Sequence, residues 1–275
     1  MHKEQALTVA AERAQAKEAR CAQSYHERTL GICHLHELHV MSKSESGLLP
    51  GLYLTLHFPS VFSLSPDEEH AVCDTLATLL ERESGRLLAG QKSTCTRVLF
   101  IGLGNPHATA DALGTLAASR IRPTAQLPPA LREKLGIGAL SVFTPLVPAL
   151  TGTESATLVR AAVDAVSPSL VLIADAMATA STERLGQTAQ LTDTGICPGS
   201  GVGEDGVRLD RAFLGVPVLS IGFPTVLDAT TYLAKEKGLP SPLAYLLPCE
   251  ADAACERLAA ILALAVERVF GLPHL

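Results

Sequence analysis

The chain has 275 residues, 47% of them hydrophobic and 18% charged, which suits one large buried core and excludes a disordered polymer. A net charge of -6 with no Lys/Arg run argues against direct nucleic-acid binding, because phosphate contacts need clustered cations. Seven cysteines, an odd number without a CxxC pair, read as reduced thiols, and the Ala-rich charged N-terminus and the nine-residue apolar tract at 258–266 supply neither a signal core nor a membrane span, so the expectation is a cytoplasmic protein.

In chain order, residues 3–23 are strong helix formers and predict a helix. Residues 30–40 and 52–58 predict two strands around a Ser/Gly/Pro loop. The first carries His34, His36 and His39; His34 and His36 share a face, but no carboxylate or cysteine completes a metal set, and exposed strand residues are the expectation. Ser65-Pro66-Asp67-Glu68 is a capping box with proline in the first turn, and Val72, Leu76, Leu79 and Leu80 continue at helical spacing. A strand over 98–103 and a helix over 109–120 capped by Thr109 come next. After a Pro/Gly-rich stretch, 123–148, with a short strand at 139–143, a helix is expected over 155–166. Strands over 170–174, 187–191 and 216–221, a helix over 226–235, a proline-containing link and a final amphipathic helix over 251–270 complete the chain.

Strands alternating with helices predict an α/β fold, a doubly wound, largely parallel sheet with helices on both faces. The organisation expected is one compact unit, with an N-terminal helix and first strand in residues 1–50 and the main α/β domain in 51–275.

Chemistry concentrates around the run Leu170-Val171-Leu172-Ile173-Ala174, which ends on Asp175. Ligands of open α/β sheets bind at the carboxyl ends of their strands, and an unpaired carboxylate placed there costs several kcal/mol, roughly, so Asp175 is a functional candidate. Asp111, in the first turn expected after the loop Gly102-Leu103-Gly104-Asn105, is the second candidate, and Asn105 is the only asparagine in the chain. Two carboxylates in environments that separate their pKa values can divide base and acid roles. The segment 192–203, TDTGICPGSGVG, spells the aspartic-protease tripeptide in an α/β context where it is coincidental, and it lacks a nucleotide-binding fingerprint. Its glycines, Gly199 and Gly201 with Ser200 between them, instead let the backbone pass close to a substrate, with Asp193 holding the loop. Cys197 with a histidine such as His107 is a weaker nucleophile pair.

GLYLTL at 51–56, GLGN and DALG at 102–105 and 111–114, TGTES at 151–155 with Glu154 as its fourth residue, IADA at 173–176 with Glu183-Arg184 following, DTGICPGSGVG at 193–203 and LGVPVLSIGFPTVLDA at 214–229 together resemble the germination protease family of endospore-forming bacteria. The resemblance implies an endopeptidase that degrades small acid-soluble spore proteins during germination, by an atypical aspartic mechanism whose two aspartates fall on Asp111 and Asp175. It also implies a spore-core location, a homotetramer and a zymogen, and an architecture like that of the hydrogenase-maturation proteases and phosphorylases. No cofactor or metal is expected. The chain departs from the family pattern at Pro106-His107, at Thr179-Ala180, around residues 4–10, where the autoprocessing motif is not recognisable, and in a shortened segment before the last helix. Glu154, Asn105, Asp193, Gly199, Ser200 and Gly201 are the expected substrate-binding or transition-state supports. The alternatives are a metal-dependent maturation-type endopeptidase using the same aspartates with His107, and a non-enzymatic binding relative.

Overall fold

The computed structural model describes residues 22–42, 48–89, 96–199, 206–228 and 245–272. Most of the helix expected over 3–23, and the part of the 226–235 helix beyond residue 228, lie outside the described residues.

Among the described residues nine strands form one sheet: β1 (Ala22–Leu30), β2 (Cys33–Val40), β3 (Gly51–His57), β4 (Arg97–Gly102), β5 (Ala139–Phe143), β6 (Leu170–Thr179), β7 (Thr188–Thr192), β8 (Val218–Asp228) and β9 (Tyr245–Leu246). Their order is β1-β2-β3-β7-β8-β6-β4-β5, with β9 against β8. The pairings of β4 with β5, β4 with β6 and β6 with β8 are parallel, and the other five are antiparallel. This corrects the expectation of a largely parallel sheet: a parallel half carries an antiparallel meander on its flank. The reason lies in the short connections. Gly31, at φ +61°, closes β1 onto β2 in a hairpin where a single strand was expected from residue 30. Only a crossover of a dozen residues or more can join parallel neighbours.

Helices cover both faces of the parallel half. Phe100, Leu170 and Leu172 pack on one side with α1 (Pro66–Leu87), α2 (Leu113–Arg120) and α7 (Ala251–Phe270). Leu99, Ile101, Val171 and Ile173 pack on the other with Val159 and Val163 of α5 (Ser155–Val166) and Leu214 of α6 (Arg211–Leu214). Strands buried on both faces read as unbroken apolar runs, which β4 and β6 are. The stretch after Arg120 holds α3 (Pro129–Leu135) and α4 (Pro148–Thr151) on either side of β5.

Three local expectations change. β6 does not stop at Ala174 but runs on to Thr179, because β8 continues beside it to Asp228, through residues 226–228 that were expected to begin a helix. Thr109 does not cap a helix; it opens a 3-10 turn, Thr109–Asp111, and its hydroxyl bonds Asp252. α2 therefore begins only at Leu113.

The Ser65 box forms as expected: Glu68 N donates to Ser65 Oγ over 3.3 Å and Ser65 N to Glu68 Oε2 over 2.8 Å. Ser65→Ala should therefore cost about 1 kcal/mol and lower the thermal midpoint by about 2 °C, checked by calorimetry.

Candidate active site

The site is built on one close backbone approach. β4 ends at Gly102 beside Ala174 of β6, and Leu103 N donates to Ala174 O over 2.9 Å. A Cβ on Gly102 would lie 2.2 Å from Gly114 O, and one on Gly114 would lie 2.5 Å from Ala174 O. Glycine at both positions lets α2 rest on the two strand ends. Gly104, at φ +110°, then turns the chain so that a Cβ there would meet Asp111 O at 1.9 Å. Across that contact Asn105 N donates to Asp111 O over 3.1 Å and to Asp111 Oδ2 over 2.9 Å. The GLGN and DALG segments are two sides of a single contact whose product is a fixed Asp111 carboxylate.

Asp175 sits one residue beyond the last β4–β6 pair, Gly102 with Ala174, in a part of β6 held only by β8, where Gly222 is its partner. Its Oδ1 accepts from Ala176 N over 2.9 Å. Both carboxylates are partly buried. Burial pushes Asp111 up from 3.8 to about 6, against the opposing pull of the Asn105 N–H. Asp175 is raised well above its ordinary value, first by burial and then by the negative charge of Asp111, with Ala176 N–H working the other way. The charge of Asp111 thus acts on Asp175, and both carboxyls are raised by burial.

The loop carrying Asp111 is tied from behind. Thr225 occupies a bulge where the β6–β8 register slips, and its hydroxyl donates to Ala110 O over 2.7 Å. Asp252 takes the Thr109 hydroxyl, and Cys255 Sγ contacts Thr109 O at 3.4 Å. Sequence reasoning had not singled out Gly104, Gly114 or Thr225. The glycine spacing carried a signal, whereas Thr225 shows its role only through the bulge.

Of the other expected site residues, Asn105 lies against Asp111 and uses its Oδ1 to accept from His107 N over 2.9 Å. Glu154 is exposed just before α5, at the carboxyl edge of the parallel strands, and its side chain makes no capping bond. Asp193 is placed elsewhere: Oδ1 accepts from Leu52 N over 2.8 Å and Oδ2 pairs with Arg86 over 2.7 Å, bracing β3 against α1. Gly199 belongs to the connection that leaves β7 opposite Ser220, at the amino end of β8, and returns through α6. Ser200 and Gly201 lie outside the described residues. His34 is exposed and His36 half-buried on one face of β2, with the His57 ring 4.9 Å from that of His36. No group of three or more His, Cys, Asp or Glu side chains is arranged to hold a metal ion among the described residues. No helix among them is long and apolar enough to cross a membrane.

Fold and site together define an α/β protein with a paired-carboxylate centre at the carboxyl edge of its parallel strands. The germination protease family model matches residues 1–236. The chain is 36% identical over 219 residues to the germination protease of Caldanaerobacter subterraneus subsp. tengcongensis, covering 76% of this chain and 66% of that one. It is 37% identical over 187 residues to that of Oceanobacillus iheyensis and 35% identical over 190 residues to that of Bacillus subtilis, covering 67% and 68% of this chain and 50% of each relative. The match thus spans between half and two thirds of these relatives. The chain belongs to the germination protease family.

Because the folded-state pKa of Asp111 lies above 3.8, the folded protein binds this proton more tightly than the unfolded chain does. The stabilisation is complete below about pH 4 and is lost as pH rises through about 6. Asp111→Asn should remove that loss, making the variant more stable than the parent by roughly 2–3 kcal/mol at pH 7 and by little at pH 4, measured by urea unfolding at both values. Gly104→Ala should cost about 3 kcal/mol or more, since the added methyl meets Asp111 O and the backbone angle is unfavourable.

Proposed function

We propose that the chain is an endopeptidase that hydrolyses small acid-soluble spore proteins, with Asp111 and Asp175 activating water. The observation that carries this reading is the nearness of Asp111 to Asp175 beyond the last β4–β6 pair, close enough for the charge of Asp111 to act on Asp175, in a chain of this peptidase family.

With a pKa of about 6, Asp111 is largely ionised at neutral pH and accepts the proton of a water molecule lodged between the acids. The resulting hydroxide attacks the scissile carbonyl. Asp175, its carboxyl raised by burial and by the charge of Asp111, donates its proton to the amine as the C–N bond breaks. The cycle leaves Asp111 protonated and Asp175 ionised, and proton exchange with solvent restores the start. Asn105 Nδ2, on the loop that fixes Asp111, supplies a donor to the developing oxyanion. Glu154, exposed at the same edge, is positioned for contact with the peptide. Asp193 acts on this reading through the fold, by holding β3 to α1. Assembly as a homotetramer, processing from a zymogen and work in the spore compartment belong to the same reading.

Purified protein incubated with a small acid-soluble spore protein, followed by mass spectrometry, tests it. Cleavage should persist in EDTA and fall by at least about 10²-fold in Asp111→Asn and in Asp175→Asn, with the acid limb of kcat/KM near pH 6. Asn105→Ala should lower kcat by about 10²-fold. Chelator-sensitive cleavage, or full activity in either aspartate variant, would overturn the mechanism. Binding of the spore protein without cleavage would mean a binding relative.

A further inference from the structure

Gln190 lies in the middle of β7, 2% exposed, and neither its Oε1 nor its Nε2 has a hydrogen-bond partner among the described residues. Ser220 Oγ, on the neighbouring strand, is also buried and unpartnered. Buried amides are normally satisfied, and removing both hydrogen-bonding groups of one from water without a partner is costly. Register shows what Gln190 faces. It pairs with Gly222 across β7 and β8, and Gly222 pairs with Asp175 across β8 and β6. Paired residues share a face of the sheet, so Asp175, Gly222 and Gln190 form one lateral row whose middle member has no side chain.

Strands about 4.8 Å apart put the Asp175 and Gln190 Cα atoms about 10 Å from one another. Both side chains rise from the same face, so only the bonds beyond Cβ bridge the gap: inclined toward each other, with one hydrogen bond of about 2.9 Å, they span about 9 Å, and the twist and curl of the sheet must close the rest. The space between them is held by Met177, two residues beyond Asp175 on the same face: its Sδ lies 1.9 Å from where a Cβ on Gly222 would stand. A thioether on three rotatable bonds can turn out of such a gap. On Asp175, Oδ1 takes the Ala176 N–H, and Oδ2 is left for a second donor.

We propose that Gln190 is a positioning residue for Asp175: as Asp175 gives up its proton, Met177 turns aside and Gln190 Nε2 donates to the Asp175 carboxylate across Gly222. While Asp175 is protonated the amide waits without a partner. Once Asp175 is ionised the amide holds the carboxylate in place until it is reprotonated. The functional consequence rests on the acid–base reading above. The charged and titratable groups around this row are Asp111 next to Asp175 and, beyond Gln190 and its neighbour Thr55, His34, His36, His57 and Arg184.

The test is a carboxyl-carbon NMR titration of Asp175 in the full chain, parent against Gln190→Met, with the Asp175 signal assigned by its loss in Asp175→Asn. Loss of the donor should raise the Asp175 pKa by about one unit, a tenfold change in its ionisation ratio, while the thermal midpoint stays the same or rises. Met177→Leu, which keeps the gap filled with a branched side chain, should raise it in the same direction, and it serves if the glutamine variant does not fold. On a spore protein, Gln190→Met should lower kcat about tenfold at unchanged KM, and it should add no further loss in an Asp175→Asn background. An Asp175 titration unmoved in Gln190→Met or Met177→Leu would overturn the assignment. So would an equal kcat loss with and without the Asp175 carboxylate. The titration needs no substrate, so a parent protein that fails to cleave would count against the proposed function and leave the NMR result to decide the role of Gln190.

Discussion

The contact on which the rest of the molecule depends is the approach of α2 to the ends of β4 and β6 at van der Waals range. It exists because Gly102 and Gly114 have no side chains where a Cβ would fall 2.2 to 2.5 Å from backbone oxygen. From it follow the turn at Gly104, the double acceptance of the Asn105 N–H by Asp111, and the position of Asp111 over the edge from which Asp175 emerges. Larger residues would lift the helix and leave the two acids independent.

Holding two carboxylates together in a partly buried edge opposes folding, so the surrounding structure must over-determine it. The double-sided core of β4 and β6 supplies rigidity from below. From behind, Thr225, Asp252 and Cys255 grip the 3-10 turn that leads into Asp111. Farther out, α7 is fastened by Arg257 to Glu69 and by the buried Glu267 to Arg122, over 3.0 Å. The antiparallel flank is fastened by a chain of charges in which Glu37 receives Arg82, Glu83 receives Arg82 and Arg86, and Arg86 reaches Asp193. Glu37 and Glu83 are buried while their arginines are partly exposed, so the arginines keep buried carboxylates paired and fix β2, β3 and β7 against α1.

Much of the local structure was legible. Helices at Ser155–Val166 and Ala251–Phe270 and the strand Ala139–Phe143 match the residues expected from periodicity, and the Ser65 cap follows from four consecutive residues. Asp111, Asp175 and Asn105 stood out because a carboxylate at a strand end and a single asparagine in a glycine loop are chemically expensive or unusual choices. Other features were not legible. The β1 strand was not expected: residues 22–23 fall in the expected N-terminal helix and 24–29 in no expected element, and its pairing depends on a hairpin that one glycine closes. Residues 226–228 have the composition of a helix start, but β6 beside them offers backbone partners first. Asp193, expected to hold the 192–203 loop as a substrate support, spends both oxygens on Leu52 N and Arg86.

By itself, then, the sequence determined many of the helices and strands, the two-sided burial of β4 and β6, and the candidacy of Asp111 and Asp175, because these depend on residue periodicity and on neighbours a few positions away. Only the tertiary structure decided the strand order, the antiparallel flank, the contact that joins residues 102–105 to 111–114, and the row that sets Gln190 beside Asp175 across Gly222. Those depend on register between strands far apart in the chain, where a shift of one residue turns every side chain to the other face, and nothing local in the sequence records that register.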